Sequence, residues 1–420
     1  MIINHSVKYD ADVIIVGGAV AGAALACAMA KYNIRTLLLD RRKEPGSMNR
    51  GDGLQPRTLE ILEQWGALPE LLKYPHVKSS GIELRHPVLK TLMNIDLQPL
   101  TSSKYNYILN IPHRDIEQGL LDYADKHELI HLQRGIIVEK LLWNEKNQVN
   151  GVRVKQRNET FQYTAPIVIA ADGGLSGIRQ HLQIDAKRAL YHHELVVLHL
   201  PRPAWFSNEL RTLVNLHRDG AVVFIPLPDR QMRVTVVVPS GQASQWRKLS
   251  DEQLFEQLQK RVPELDQVPV HREGEHIYKM YRMHAEQYVK QGVALIGDAA
   301  HLTHASSGQG MNMAIQDADL LGDLLHRYFS KSISLEKAYS LYEQIRQPIN
   351  EEIISRSDFM SSVVYTPNKL IHSLKMMGIF SARFIPGLRK KISGNIACGI
   401  AGIEQKETIH KSLTHALEPI

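Results

Sequence analysis

The chain has 420 residues, of which 44% are hydrophobic, and a formal net charge of +6 at pH 7. That apolar share is normal for a globular protein. The lysines and arginines are scattered rather than collected in long runs, so we expect no nucleic-acid-binding surface. The length exceeds what one simple core holds and indicates two intertwined domains.

The cysteine content and the N-terminal segment indicate the cellular compartment of the protein. Cys27 and Cys398 are too far apart in sequence to indicate a disulfide framework or a metal site. The N-terminal residues contain no apolar stretch typical of a secretory signal, so we expect a cytoplasmic protein. The uncharged stretch 13–30 is long enough for a membrane span. Its glycines and alanines favour a buried strand, a glycine turn and a buried helix instead.

The first predicted elements are a strand, a glycine turn, a helix and a second strand. The strand covers 12–16, the turn 17–22 with the sequence GGAVAG, and the helix 20–31. A second strand over 36–39 leads into Asp40. This order of elements is that of a dinucleotide-binding fold.

Each residue of the turn has a role in that interpretation. Gly17 allows the tight turn, and Gly22 allows the helix to pack closely on the strand. Ala19 stands where the fingerprint has its second glycine, so a bound pyrophosphate must shift slightly. Asp40 is placed to bind the ribose of an adenosine.

Residues 50–163 are predicted to form loops, short strands and two helices. The loop Arg50-Gly51-Asp52-Gly53 leads to a predicted helix over 58–65. Short strands over 81–85 and 89–97 begin a second sheet, and a helix over 116–126 follows Arg114. Strands over 135–141, 151–156 and 161–163 precede another buried strand.

That buried strand, 168–170, is followed by Asp172-Gly173, Ser176 and Arg179. A turn with a carboxylate, a hydroxyl and a guanidinium favours a phosphate site. An alternative is that Ser176 caps a helix and Arg179 is solvated. After it, apolar stretches over 195–200, 221–227, 232–238 and 275–283 predict strands, and 251–262 predicts an amphipathic helix.

The most informative stretch is 293–325. A strand over 293–296 ends at Gly297-Asp298, and a small-residue loop, 305–308, leads to a helix that begins near Gly310. Glycines let a ligand approach the backbone, and the N–H groups of a helix start favour an anion. His301 and His304 in this stretch are interpreted as structural.

The region after 325 is predicted to be helical over 335–347, where Pro348 ends the helix, and over 349–364. A third helical stretch, 370–391, mixes apolar residues with internal lysines and arginines, which excludes a membrane span. Two alternatives stay open for it: peripheral contact with a membrane or an apolar substrate, and packing on the cofactor-binding domain that begins with the glycine turn.

Four of these motifs resemble those of the FAD-dependent single-component monooxygenases. They are GGAVAG, RGDGLQPRT, DGGLSGIR and GDAAHLTHASSGQGMN. The family includes para-hydroxybenzoate hydroxylase-like enzymes, aromatic polyketide hydroxylases, ubiquinone-pathway hydroxylases and squalene epoxidases. It usually has proline where Ala305 stands.

The resemblance implies an α/β fold class: a Rossmann-like FAD-binding domain, an interleaved mixed β-sheet substrate domain and C-terminal helices. The FAD-binding domain would comprise residues 10–75, 111–185 and 285–330. The substrate domain would comprise 76–110 and 186–284, and the C-terminal helical region 331–420.

The resemblance also implies which residues bind FAD, whereas it predicts no catalytic side chain and no metal. The expected cofactor-binding residues are Gly17, Ala19, Val20, Ala21, Gly22, Asp40, Arg41, Arg50, Arg114, Ile137, Asp172, Asp298, Gly308, Gly310, Met311 and Asn312.

The implied reaction is that of a flavin-dependent monooxygenase. NADPH or NADH reduces FAD, and O2 then forms a flavin C4a-hydroperoxide that hydroxylates or epoxidises an apolar aromatic or polycyclic small molecule. A single dinucleotide fingerprint argues against reductases with two nucleotide domains. Two alternatives stay open: an FAD-dependent reductase or oxidase of isoprenoid or polyene chains, and a non-catalytic GDI-like binding protein.

Overall fold

The computed structural model describes residues 9–46, 51–97, 103–203, 206, 210–265, 271–388, 409–414 and 416. Within them the helices are α1 Val20–Lys31, α2 Pro56–Trp65, α3 Leu68–Leu71, α4 His113–Asp125, α5 Gly177–His181, α6 Ala243–Trp246, α7 Asp251–Arg261, α8 Gly310–Phe329, α9 Leu335–Val364 and α10 Lys369–Ala382.

The strands of the same residues are β1 Val13–Val16, β2 Thr36–Asp40, β3 Gly53–Leu54, β4 Val77–Ser79, β5 Gly81–His86, β6 Lys90–Asp96, β7 Ile108–Asn110, β8 Ile130–Arg134, β9 Ile137–Trp143, β10 Val149–Gln156, β11 Glu159–Thr164, β12 Ile167–Ala170, β13 Ala186–Pro201, β14 Thr212–Asn215, β15 Val222–Pro226, β16 Gln231–Pro239, β17 His271–Ala285, β18 Val289–Lys290, β19 Val293–Leu295 and β20 His301–Leu302.

The first sheet has the order β18-β19-β12-β1-β2-β8, and its strands from β19 to β8 run parallel. β1 lies in the middle, with Val13 paired to Thr36 on one side and to Ile167 on the other. Helices cover this sheet, and all four residues of β1 are buried, which explains its uninterrupted apolar sequence.

The second sheet has the order β20-β17-β13-β16-β15-β14-β5-β6 and is antiparallel except for β14 with β5. Its strands come from separate stretches of the chain, with elements of the first sheet between them. One of its faces packs against α7 through a core that includes Val196, Val234 and Leu258. Two mixed sheets with alternating helices confirm the predicted α/β fold class.

The glycine turn after β1 has the conformation that its sequence predicts. Gly17 has a φ of +109°, and a Cβ atom there would lie 2.3 Å from the carbonyl oxygen of Ala171. A Cβ atom on Gly22 would lie 1.8 Å from the oxygen of Gly17. The stretch 13–30 is thus a strand and a helix. Among the described residues, we find no helix with the length and apolar composition that crossing a bilayer requires.

The prediction that Pro348 ends a helix is wrong. α9 continues through Pro348 as one helix of 30 residues. Proline costs one backbone hydrogen bond, but Ile345, Ile349 and Ile353 are buried on the two sides of it in the same core cluster. Burial of this continuous face outweighs the lost bond.

Helix α10 packs on the second sheet rather than on the flavin domain. Met376 and Ala382 share a core cluster with Leu92 and Met93 of β6. The alternative of packing on the flavin domain is therefore wrong for the described part of this region.

We predict that Gly17→Ala destabilises the protein more than Gly241→Ala. Both glycines have positive φ, so alanine at either costs about 1–3 kcal/mol of backbone strain. A Cβ atom at Gly241 meets no atom within 4 Å, whereas one at Gly17 overlaps the Ala171 carbonyl. Chemical denaturation of both variants measures the difference, and equal losses of stability would contradict this account of the turn.

Candidate flavin site

The carboxyl ends of β1, β12 and β19 meet at one edge of the first sheet. Their register is set by hydrogen bonds just beyond the strands, because Ala171 N donates to Val16 O at 2.8 Å and Ile296 N donates to Ala170 O at 3.0 Å. The turn at Gly17, the carboxylate of Asp172 and the turn that holds Asp298 therefore lie together. This edge is where open α/β sheets bind ligands.

Asp40 lies directly beside the glycine turn. A Cβ atom on Gly18 would lie 2.8 Å from Asp40 Oδ2. Arg42, which the sequence reasoning missed, forms an ion pair with Asp40, with 2.6 Å between Nη2 and Oδ2, and bonds Glu117 at 2.9 Å. The backbone N–H and the Nε–H of Arg42 also donate to this carboxylate, so three of its roughly four acceptor positions are used and one is left for a ribose hydroxyl. The sequence signal was the arginine two residues after Asp40.

Of four other residues expected to bind FAD, one lies close to Asp40, two are exposed and one lies outside the described residues. Ile137 begins β9 close to Asp40, because the N–H of Ile136 donates to Asp40 O at 3.0 Å. Arg41 and Arg114 are exposed, the latter in the first turn of α4. Arg50 lies outside the described residues.

The side chain of Asp172 has a buried oxygen atom without a hydrogen-bond partner in the described part of the chain. Its Oδ2 accepts from the N–H of Ile178 at 3.2 Å, while Oδ1 is buried and has no hydrogen-bond partner among the described residues. Burial raises the pKa of this carboxyl group. An unsatisfied buried acceptor costs free energy, so a ligand hydroxyl beside the glycine turn would stabilise it.

Ser176 and Arg179 do not form the phosphate site that the sequence predicts, because both side chains bond other protein groups. Ser176 Oγ caps α5 by accepting from the N–H of Arg179 at 3.0 Å. The Arg179 guanidinium is buried and donates to Ala299 O at 2.6 Å and to Gly174 O at 2.9 Å. Both groups are used inside the protein, where Arg179 ties the turn after β12 to the turn after β19.

Asp298 lies in a 3-10 turn, Gly297–Ala299, and its side chain is partly exposed. The turn packs against two helices, because a Cβ atom on Gly297 would lie 2.7 Å from the Cβ of Ala21 in α1 and 3.2 Å from that of Ala314 in α8. The motifs at 17–22, 297–299 and 310–314 are therefore in direct contact.

The start of α8 faces the same place. Its first-turn N–H groups, at Gly310, Met311 and Asn312, have no carbonyl of a preceding helical turn to bind. Next to them, Thr303 Oγ1 is buried, and no residue that the structure describes bonds it. Thr303 Cγ2 lies 3.9 Å from where a Gly310 Cβ would be. Gly308 has a φ of +61° in the turn before the helix.

The side chain of Asn312 is not available to a ligand. Its Oδ1 accepts from Gln55 N at 3.0 Å and from Thr58 Oγ1 at 2.7 Å. Its Nδ2 donates to Gly53 O at 3.0 Å and to Gly308 O at 2.9 Å. Asn312 therefore joins the loop after Arg50 to the helix start and leaves only its backbone for the flavin.

A buried network of charged and polar side chains, centred on Asp317, holds the turn Gly297–Ala299 in place. Asp317 of α8 bonds His301 Nε2 at 2.5 Å, Arg346 Nε at 2.8 Å and the N–H of Gly297 at 3.1 Å. Burial acts to raise the pKa of Asp317, but the adjacent His301 and Arg346 hold it well below its usual range. Asn350, one helical turn after Arg346, also donates to Asp317, at 3.1 Å.

An ion pair clamps the second sheet to the loop after Arg50. Arg233 Nη2 of β16 and Asp52 Oδ1 are 2.9 Å apart, and both side chains are buried. The N–H of His113, at the start of α4, donates to the same oxygen at 3.0 Å. Burial raises the pKa of Asp52 to about 6, although the charge of Arg233 opposes this. No sequence pattern predicted the pair.

A histidine pair makes the second clamp. Nε2 of His193, on β13, and Nε2 of His304, in the loop before α8, are 2.7 Å apart and both rings are buried. The N–H of Ser306 donates to His304 Nδ1 at 3.1 Å, which makes that nitrogen an acceptor. Neutral His304 therefore carries its proton on Nε2 and donates it to His193.

The unsatisfied buried oxygen atoms, the glycine turn and the helix start form a cradle that suits FAD. The turn and the helix start have backbone N–H groups of the kind that could bind a pyrophosphate and the edge of a flavin ring. The carboxylates of Asp40, Asp172 and Asp298 can accept bonds from ribose and ribityl hydroxyls. Within the described residues, no group of His, Cys, Asp or Glu side chains is arranged to hold a metal ion.

We predict that His304→Gln makes the protein less sensitive to acid. Burial lowers the pKa of His304 to about 3 and that of His193 to about 4. In the unfolded chain both histidines have their ordinary pKa of 6.5, so below that pH the unfolded chain binds more protons than the folded protein. The folded state therefore loses stability as the pH falls from 6.5 towards the lowered pKa values. A glutamine keeps a polar contact without this titration.

The measurement is the free energy of unfolding at pH 7.5 and pH 5. Between these values the wild type should lose about 2 kcal/mol more than His304→Gln. His131→Gln, which changes an exposed histidine of β8, is the control and should behave as the wild type. Equal pH dependence in wild type and His304→Gln would refute the assignment.

Comparison with known proteins agrees with this geometry. The family described as "FAD binding domain" matches residues 10–357. The chain is 29% identical over 317 residues to 6-methylpretetramide 4-monooxygenase of Streptomyces rimosus, which covers 73% of each protein. It is 25% identical over 388 residues to 3-hydroxybenzoate 6-hydroxylase of Klebsiella oxytoca, covering 89% of this chain and 94% of that relative.

The solved structures that resemble it include p-nitrophenol 4-monooxygenase PnpA from Pseudomonas putida. That structure superposes with a TM-score of 0.80 at 18% identity, over 93% of this chain and 98% of the other, and supports the fold alone. With the family match over most of the chain, the resemblance inferred from the motifs is confirmed. The chain belongs to the FAD binding domain family and is a flavin-dependent monooxygenase whose cofactor is FAD.

Proposed function

We propose that the protein hydroxylates an apolar aromatic small molecule with O2 and NADPH or NADH. The relatives support this, because two of them carry the names 6-methylpretetramide 4-monooxygenase and 3-hydroxybenzoate 6-hydroxylase. Bound FAD would supply the redox chemistry by accepting a hydride and activating oxygen. The protein binds the reactants, orients them and excludes water.

The observation that carries the proposal is the second sheet clamped over the cradle. Arg233 and His193 reach the flavin motifs, so the sheet face that carries them is turned towards the cradle. Residues alternate between the two faces of a strand. Val197, Thr235 and Val223 share that face and are paired across three adjacent strands.

These three residues are candidates for the substrate wall. Val197 is buried, whereas Thr235 and Val223 are partly exposed, as expected beside a space that a ligand fills. Their side chains are apolar except for one hydroxyl. Such a wall suits an aromatic substrate and keeps water from the reacting atoms.

We also propose the residues that hold FAD. The backbone from Gly17 to Gly22 would bind the pyrophosphate, and Asp40 the adenosine ribose, with Ile137 near the adenine. Asp172 and Asp298 would accept bonds from hydroxyls, and Gly308 to Asn312 would face the flavin ring with their backbone. Arg41, Arg50 and Arg114 are proposed as contacts of the phosphates and the flavin.

We expect Asp298→Ala to lower the affinity for FAD about tenfold or more. A lost hydrogen bond to a charged group costs about 1.5–3 kcal/mol. FAD affinity is measured by titration of the apoprotein, followed through flavin absorbance. Asp229→Ala, which removes an exposed carboxylate in the turn between β15 and β16, is the matched control. Unchanged affinity in folded Asp298→Ala would remove Asp298 from the site.

The proposed reaction is tested with labelled oxygen gas and a panel of phenols, quinones and polyenes. We expect NAD(P)H oxidation to rise with an aromatic substrate and one labelled oxygen atom to enter the product, as read by mass spectrometry. A reduced or dehydrogenated product without added oxygen would assign the protein to the reductases or oxidases. Failure to oxidise NAD(P)H with any substrate would favour a carrier.

For the compartment, we propose the cytoplasm, where the NADPH or NADH that reduces FAD is regenerated. Recovery of the protein only from the secreted fraction of fractionated cells would contradict this proposal.

A further inference from the structure

Helix α10 is apolar on both of its faces. One face is buried on the second sheet through residues that include His372, Met376 and Ala382. The opposite face exposes Leu370, Leu374 and Met377, at positions i, i+4 and i+7, with 69%, 62% and 61% of their surface accessible. A helix that is apolar all round is typical of a buried setting, yet this face has no cover among the described residues.

The apolar surface continues beyond the helix. Phe384, Ile385 and Leu388 follow its end and are also exposed, Phe384 to 67%. Single exposed apolar residues are common on protein surfaces, but a contiguous group marks an interaction site. The residues from Leu370 to Leu388 with exposed apolar side chains are called the α10 surface below.

The positive charge of the protein is concentrated in the same part of the chain. No aspartate or glutamate occurs from Phe359 to Ile403. The basic residues of that stretch are Lys369, Lys375, Arg383, Arg389, Lys390 and Lys391. The six positive charges of this stretch equal the net charge of the whole chain, which is +6. In the rest of the chain, the number of lysines and arginines equals the number of aspartates and glutamates.

We propose that the α10 surface docks on an anionic phospholipid bilayer. An apolar helix face that belongs to a basic stretch of chain favours the interface of an anionic bilayer, with its apolar side chains among the acyl chains. Lys369 is exposed at the start of α10, Lys375 and Arg383 donate to Ser362 O and Thr91 O, and residues 389–391 lie outside the described residues. A second copy of this chain fits the apolar face less well, because two stretches of the same positive charge would repel each other.

The position of the α10 surface indicates what contact with a bilayer could do for the enzyme. The buried face of α10 packs on β6, so a bilayer at its exposed face lies beside the second sheet rather than beside the glycine turn. A monooxygenase held there can take up an apolar substrate that partitions into the bilayer. The docking goes beyond the proposed reaction and does not depend on which substrate is oxidised.

The test is sedimentation of the full-length, FAD-loaded protein with vesicles. We expect it to sediment with vesicles of phosphatidylcholine and phosphatidylglycerol, much less with phosphatidylcholine alone, and less as salt rises. The double variant Leu374→Gln, Met377→Gln should lower the partition coefficient about tenfold or more, because two apolar side chains no longer enter the bilayer. Its flavin absorbance should be unchanged.

Leu190→Gln is the matched control, because Leu190 is exposed to a similar degree but lies on β13. This control should bind vesicles as the wild type does. Equal binding to neutral and anionic vesicles, no binding to either, or unchanged binding of the double variant would overturn the proposal. A concentration-dependent dimer that the double variant abolishes would assign the α10 surface to a second copy and also overturn it.

Discussion

The carboxylate of Asp317 is the contact on which the cofactor edge depends. It lies at the centre of α8 and binds the backbone of Gly297, the ring of His301 and the guanidinium of Arg346 from α9. A buried charge costs several kcal/mol unless it is paired and hydrogen-bonded, and these groups supply that pairing. They hold the turn that contains Asp298, the helix that begins at Gly310 and the long helix α9 in one arrangement.

Two further contacts decide where the second sheet lies relative to that edge, and they differ chemically. Asp52 and Arg233 are a buried ion pair, so removing either partner leaves an uncompensated charge. His193 and His304 are a neutral pair, because burial keeps both rings deprotonated at physiological pH. The first contact therefore resists separation at neutral pH, while the second weakens as the pH falls. Both join flavin motifs to strands whose shared face carries the proposed substrate wall.

The motifs were predictable because they are local. The strand, turn and helix at the N-terminus, the hairpin of β10 and β11 and the helix that begins at Gly310 all have sequence patterns that act within a few residues. The break expected at Pro348 was wrong, since the burial of isoleucines on both sides of it outweighs one missing hydrogen bond. The phosphate corner at Ser176 and Arg179 was wrong for the same kind of reason, because a distant carbonyl of Ala299 takes the guanidinium.

The sequence by itself therefore determined the strand, glycine turn and helix of a dinucleotide-binding fold, because spacing along the chain and the lack of a Cβ atom are enough to specify them. The full fold class and the cofactor followed from the resemblance of its motifs to those of a family. Only the tertiary structure decided which polar side chains of the motifs are bonded to other protein groups and which keep capacity for a ligand. Asn312 and Arg179 stand in the motifs yet bind other protein groups. Arg42 and Asp172 lie at the turn, one pairing with Asp40 and one keeping an unsatisfied oxygen. The partners of Asn312 at Gln55 and of Arg179 at Ala299 are far apart from them in sequence, and a local pattern carries no information about such pairs.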